Sequence, residues 1–356
     1  MNKLIDNPIL RAAATIVLAI TPFAVSAQKA TPQPPEKPDI KSTPPPRTLP
    51  APTSRASSPA PHPRPEPPSR DTGEKSIKVD PNVNLWLGCV REGSVKINGW
   101  NRNEVRVFIE DGSKFAFSTT QKNNKGEPVW IKLVSAESKN KYGPNSECIS
   151  GGEIQVDAPI NATISIRGYD INTTIDTVRK VEVTVTGGDV SVRNVTSGIM
   201  VSAGRGDVTV DSSQGKMNLE TTTGNILVFE GGPSEIGDAF RAKTNNGAIV
   251  LQTLDFRQIT VGSVTGSVAY TGEIQNGGSY DMNTSKGSIR LTIPVKSSFQ
   301  MWATYGFGNF SSEIPIDIAT ENIMPGPIKT VRGKAGTGGA TLKLTTNNGS
   351  ISIKKM

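Results

Sequence analysis

Seven short segments of the chain share one design: a glycine, a small or polar residue, then alternating β-formers. They read VTGGDVSV, GRGDVTV, TTTGNILV, TNNGAIVL, SVTGSVAY, TSKGSIRL and TNNGSISI, with glycines at Gly188, Gly206, Gly224, Gly247, Gly266, Gly287 and Gly349. Successive gaps among the first six are 18, 18, 23, 19 and 21 residues. Such a period constrains the fold more than local propensity does, because one unit cannot bury its own apolar side. Units stacked ~4.8 Å apart bury a continuous column of Val, Ile and Leu while pairing the backbone of every strand. Thr221, Thr244, Thr284 and Thr346 each stand three residues before a glycine. There the strand ends, the chain turns through a residue that accepts positive φ, and a new strand starts. The pattern predicts an all-β protein, a β-solenoid or β-helix of roughly 20-residue coils. A meander of hairpins stays open as the alternative, since Asn246-Gly247 and Asn348-Gly349 are also two-residue hairpin signals. Glycine at every turn, with aromatics at only 5%, favours stacking.

The same pattern starts earlier, at Gly93 in GSVKI, and continues through Val105, Val107, Ile109, 130–134 and 164–166. Residues 76–356 are therefore one β-strand-repeat domain, with an irregular start at 76–170, regular repeats at 171–311 and a final repeat at 340–356. A repeat column needs its open end covered, and Trp86, Trp100 and Trp130 are expected to do this. Residues 313–339, with MPGPIK and GKAGTGG, read as an insertion loop, and YGFGNF around Gly306 and Gly308 as a degraded repeat.

Residues 1–27 read as an export signal: Lys3 and Arg11 precede the apolar run 12–20, and Val25-Ser26-Ala27 suits signal peptidase. Only 16 uncharged residues separate Arg11 from Gln28, short of the ~20 that span a bilayer, so no stable membrane span is expected after cleavage. Residues 28–75 hold 15 of the 26 prolines and read as a disordered Pro-rich linker, extended as polyproline II. A retained signal, with the linker as a stalk, is the other reading.

The net charge of +7 is spread thinly, with no run of five basic residues, which argues against nucleic acid and against any specific electrostatic partner. Cys89 and Cys148, the two cysteines, are expected to pair as a disulfide in an exported chain, against the alternative of separately buried thiols. The sole histidine, His62, lies in the linker, so the β region can build no His-dependent triad and no histidine-bound zinc site. Asp157, Asp170, Asp176, Asp189, Asp207 and Asp211 carry no recurring basic partner at coil spacing, which disfavours a β-helix carbohydrate-active enzyme. Asp189 and Asp207 lack the tandem nine-residue pattern of calcium β-rolls and read as turn fillers. Residues 326–335 have the wrong spacing for a phosphate loop. Arg205-Gly206-Asp207 occupies a repeat turn rather than a protruding loop, so it reads as a corner and not as an adhesion signal. No catalytic residue, cofactor or metal is expected.

GSVKINGWNRNEVRV at 93–107, the GDVSV and GDVTV blocks, GSIRLTIPVKSSFQMWAT at 287–304 and GTGGATLKLTTNNGSISIKK at 336–355 together resemble the bacterial putative-adhesin family of β-strand-repeat proteins. That family is related to the auto-transporter adhesin head domains called GIN. The resemblance covers nearly all of 76–356 and implies a right-handed β-helix that is extracytoplasmic and non-enzymatic, with no catalytic residues to carry over. The expected function is surface contact with a cell, glycan, matrix polymer or envelope component. A periplasmic structural or envelope-stress accessory role is the alternative.

Overall fold

The computed structural model describes residues 73–110, 114–136, 148–149, 151–322 and 328–356. The expected export signal, His62 and the linker up to residue 72 lie outside the described residues. Twenty-five strands make up the described residues, without a helix among them.

Alternation along the chain decides which side chains enter the core. In Lys180–Gly187, KVEVTVTG, every second residue from Val181 is buried and those between are exposed. This is the period of a pleated strand with one face in the core. Each regular coil contributes one strand to each of two parallel ladders. The first ladder runs, in spatial order, through Pro128–Ser135, Asn84–Trp100, Thr163–Asp176, Lys180–Gly187 and Ile199–Arg205. It continues through Met217–Thr223, Phe240–Asn246, Gln258–Thr265, Ser279–Lys286, Ala340–Asn348 and Phe299–Phe307. The second passes from Glu153–Pro159 through the later halves of Asn84–Trp100 and Thr163–Asp176 to Val190–Arg193, Val208–Gln214, Ile226–Gly232 and Ile249–Leu254. Val268–Thr271, Ile289–Ile293, Ile351–Lys355 and Phe310–Ser312 complete it. The core between the ladders is made of aligned rungs such as Val181, Ile199, Met217, Phe240, Ile259 and Tyr280, all buried. Parallel register at Phe240↔Ile259 and Ile226↔Ile249 makes Asn246-Gly247 a corner between stacked strands, not a hairpin.

That corner has a specific chemistry. At Gly224, Gly247 and Gly266 an added Cβ would collide with the carbonyl oxygen of the preceding corner glycine, and the same holds at Gly206, Gly287 and Gly349. Gly224 has φ 149°, whereas Gly287 and Gly349 are absent from the positive-φ glycines, so close approach rather than dihedral freedom is what every corner shares. The carbonyl that occupies this space accepts a hydrogen bond from a buried hydroxyl of the next coil: Thr221 Oγ1 to Gly206 O at 3.1 Å and Thr244 Oγ1 to Gly224 O at 3.0 Å. Ser263, Thr284 and Thr346 do the same for Gly247, Gly266 and Gly287 at 2.8 to 2.9 Å. Gly93 stands in the same corner near the start of the stack.

A second corner comes after the second ladder. Thr177, Asn194, Ser212, Glu230 and Thr253 all have φ between 46° and 57° although none is glycine. Each left-handed residue of this type costs roughly 1–2 kcal/mol. The next residue is turned into the core, as at Val178, Val195 and Leu254. Variation in coil length falls beyond this corner, where the loop 233–239 carries the longest gap and is tied by Ser234 and Glu235 donating to Asp238.

Both ends depart from chain order. The first coil, Asn84–Trp100, is covered on one side by Pro128–Ser135 and Glu153–Pro159 and on the other by Thr163–Asp176. At the other end, the last segment of the chain, 340–355, lies between Ser279–Ile293 and the coil 299–312. Gly308 stacks on Gly349, so YGFGNF belongs to a full coil rather than a degraded repeat. Residues 313–339 are not simply a loop: Asp317–Asn322 and Lys329–Ala335 form an antiparallel pair that covers Phe299–Phe307. The opposite end is covered by Phe115–Lys122 on the first ladder, and by Glu104–Ile109 and then Lys75–Lys78 on the second. Backbone pairing therefore caps both ends of the first ladder and one end of the second, whose other edge is the three-residue strand Phe310–Ser312, and the expected tryptophan cap is not used. Trp86 and Trp130 lie on the outer face, and Trp100 Nε1 closes a turn onto Glu104 O.

Gly224→Ala is expected to lower the free energy of unfolding by ~3–5 kcal/mol. Gly237→Ala, at φ 96° but with nothing within 4 Å of an added Cβ, should cost only about 1–2 kcal/mol. Equal losses for the two in denaturant titrations would refute the stacking role of the corner.

Candidate functional site: the outer faces of the column

The aspartates singled out in the sequence are dispersed over the second ladder and its corners. Asp157 pairs with Arg106 at 2.6 Å and Asp176 with Arg193 at 2.7 Å. Burial pushes the Asp176 carboxyl up, but hydrogen bonds from Asn194 and Thr177 and the charge of Arg193 outweigh it, holding the group below the usual carboxylate value. Asp170 lies 3.8 Å from Arg205, and Asp211 accepts from Ser212. Among the described residues no group of three His, Cys, Asp or Glu is placed to hold a metal ion.

Asp189 and Asp207 do more than fill turns. Asn172 Oδ1 accepts the Asp189 N–H, Asp189 Oδ1 the Asp207 N–H, Asp207 Oδ1 the Asn225 N–H, and Asn225 Oδ1 the Ala248 N–H, at 2.7 to 2.9 Å. A short side chain with an acceptor oxygen, placed just after the corner, thus satisfies the backbone donor of the next coil. The GD and GN pairs in the repeats carried this signal, although the period alone did not show what the oxygen does. In Arg205-Gly206-Asp207 the carboxylate is engaged in this chain of bonds and Gly206 lies against Gly188 O.

Cys89 and Cys148 are joined by a disulfide, with Cα atoms 4.5 Å apart. Beside it, Ile149 N donates to Cys89 O and Arg91 N to Ile149 O. The bond holds the outermost coil to the first one.

The first ladder presents a longer and less self-paired face. Two shallow grooves lie on it. One, about 320 Å³, is lined by Trp86, Trp130, Ser165, Arg167 and Glu182. The Trp86 ring lies across Gly88, where a Cβ would come within 3.0 Å of it, and Lys132 Nζ sits 4.8 Å from its centroid. Trp130 is 41% exposed. The other groove, about 440 Å³, is lined by Met200, Lys216, Asn218, Arg241, Lys243 and Asn283, with a notch at Gly262. The grooves share one outward row: Trp86, Ser165, Glu182, Met200, Asn218, Arg241 and Thr260 are successive register partners. Sequence reasoning missed this row, because its members are mutually distant in the chain and share no residue type.

Two strands per coil, stacked in parallel around an apolar core and closed by glycine corners, define a β-solenoid of the strand-repeat class. Residues 91–354 match the family described as Toastrack DUF4097, and the chain belongs to it. The resemblance to adhesin-like β-repeat proteins read from the sequence is borne out by this match. No curated protein sequence matches the chain. Among solved structures, the chain is similar to a putative cell adhesion protein from Clostridium sporogenes at 11% identity and TM-score 0.20, covering 80% of this chain and 99% of that one. It is also similar to a putative adhesin from Parabacteroides distasonis at 10% identity and TM-score 0.33, covering 80% and 98%. A putative adhesin from Parabacteroides merdae gives 10% identity and TM-score 0.25, covering 81% and 97%. At these scores the likenesses carry no structural argument.

Two outcomes are expected from substitution at these positions. Asp207→Ala should cost about 1–2 kcal/mol in unfolding titrations, and Asp207→Asn close to nothing, since Asn225 makes the same bond one coil on. Equal losses would show that the carboxylate acts through its charge. Replacing Cys89 and Cys148 together by serine should cost about 2–4 kcal/mol and speed amide exchange in 128–135 and 153–159 well before 217–265.

Proposed function

We propose that this chain is an exported, non-enzymatic, adhesin-like protein that acts by surface contact through the long outer face of its first ladder. In this reading residues 1–27 are an export signal, residues 28–74 a proline-rich spacer that ends where the strand Lys75–Lys78 begins, and the coils wind right-handed. The observation that carries it is the continuous outward row from Trp86 to Thr260, which offers an extended contact track in place of an enclosed cleft. The aspartates support it by their placement: those of the second ladder are occupied with backbone donors and basic neighbours. Ladder ends that are either capped or, at Phe310–Ser312, cut to three residues favour a column that presents its sides over one that polymerises end to end.

The test is cell fractionation with external protease. The protein should be cleaved on intact cells, its mature N-terminus should begin near Gln28, and a strain lacking it should attach less to a polymer-coated surface. Confinement to the periplasm, with protection from protease, would overturn the contact reading in favour of an accessory role in the envelope.

A further inference from the structure

The two grooves differ in chemistry, and the difference points to a class of ligand. At the Trp86 end an indole lies flat over Gly88 and a second indole, Trp130, is exposed beside it, with Arg167 and Glu182 at the rim. Flat aromatic faces ringed by charged and amide groups suit a ligand that has C–H faces and a polar edge. At the other end Lys216, Arg241 and Lys243 face one groove, whose one lining acid, Glu220, is the register partner of Lys243, while Asp238 outside the groove interacts electrostatically with Lys216. None of the three has an ion pair with an acid among the described residues. A surplus of positive charge on a concave surface attracts the opposite charge over several ångströms. The exposed Met200, at 50%, lines the second groove on the side toward Trp86, between Glu182 and Asn218.

The spacing fits the same ligand. Successive rungs rise by about 4.8 Å, so the row from Trp86 to Thr260 runs roughly 29 Å along the column. One rung is close to the length of one pyranose unit in an extended chain. We propose that this row is a binding track for a linear acidic polysaccharide, with a sugar ring stacked on the exposed Trp130 and carboxylates or sulfates set against Lys216, Arg241 and Lys243. The inference rests on the surface-contact reading above and names the ligand of that contact. Gly262 matters because a side chain there would narrow the notch beside Lys243, where Asn283 now donates to Val261 O at 3.1 Å.

Titration calorimetry on the intact chain tests it with five probes: galacturonate and heparin octasaccharides, an uncharged maltooligosaccharide of the same length, inorganic polyphosphate and buffer alone. At least one acidic octasaccharide should bind, more weakly as salt rises, and more tightly than either the uncharged sugar or polyphosphate. Arg241→Glu with Lys243→Glu should weaken it at least tenfold, and Trp130→Ala several-fold, both with unchanged unfolding midpoints. Arg290→Glu, on the outward side of the second ladder, should leave it unchanged. The inference is overturned if neither acidic octasaccharide binds, or if binding survives the Arg241 and Lys243 changes. It is also overturned if polyphosphate or the uncharged sugar binds as well as the acidic sugars. Cells carrying the double charge reversal separate the two claims: attachment retained at the level of the unaltered strain overturns the track and leaves the contact reading standing, whereas protein shielded inside the envelope overturns the contact reading itself.

Discussion

The structure depends on a carbonyl oxygen that occupies the place of a missing side chain. At the corners of Gly224, Gly247, Gly266, Gly287 and Gly349 the oxygen of one glycine fills the space where a Cβ of the next would stand, and a buried threonine or serine hydroxyl supplies its hydrogen bond; at Gly206 and Gly308 the oxygen is in place but Ala203 and Tyr305 stand where the hydroxyl would be. The two residues need each other. Without the glycine the coils cannot approach, and without the hydroxyl a buried acceptor would go unpaired, a loss of about 1–3 kcal/mol each. Because the contact links a fixed position of one coil to the same position of the next, it sets parallel register for the whole stack. A slip of one residue would face every buried Val and Ile outward.

With register held at one corner, length can vary elsewhere. The strand-corner-strand segment is constant from coil to coil, while the return beyond the second corner absorbs extra residues, as at 233–239 and 272–278. A left-handed residue marks that second corner in five successive coils, from Thr177 to Thr253, including the one whose return is lengthened at 233–239. Insertions therefore leave the first ladder's outer face straight, and a side chain on one rung stays aligned with its counterparts on the neighbours. A contact track of this length is a property of the stacking itself, and no single loop has to be positioned for it.

The ends show how an open column avoids self-association. At each end the chain lays down a coil out of sequence order and covers it with antiparallel strands, except at Phe310–Ser312, which is three residues long. The outermost strand at one end, Asp317–Asn322, is short, polar and exposed along its length, a poor template for a second molecule. The Cys89–Cys148 bond ties the outlying coil at the opposite end to its neighbour. The sides, rather than the ends, are left to meet partners.

The period of the glycines, the alternation of Val and Ile with polar residues, and the threonines three positions upstream were enough to determine an all-β stacked repeat and the place of its corners. These are local demands: a residue without a Cβ, and a strand with one face dry. The corner at Thr177, Asn194, Ser212, Glu230 and Thr253 was hidden, because apart from Asn194 the left-handed conformation falls on residue types that do not favour it, and no residue type recurs there from coil to coil beyond threonine at its two ends. The order of coils at the two ends, the antiparallel pair within 313–339 and the row joining Trp86 to Arg241 were decided by tertiary structure alone. Each brings together residues far apart in the chain, and separation of that kind leaves no periodic trace in a sequence.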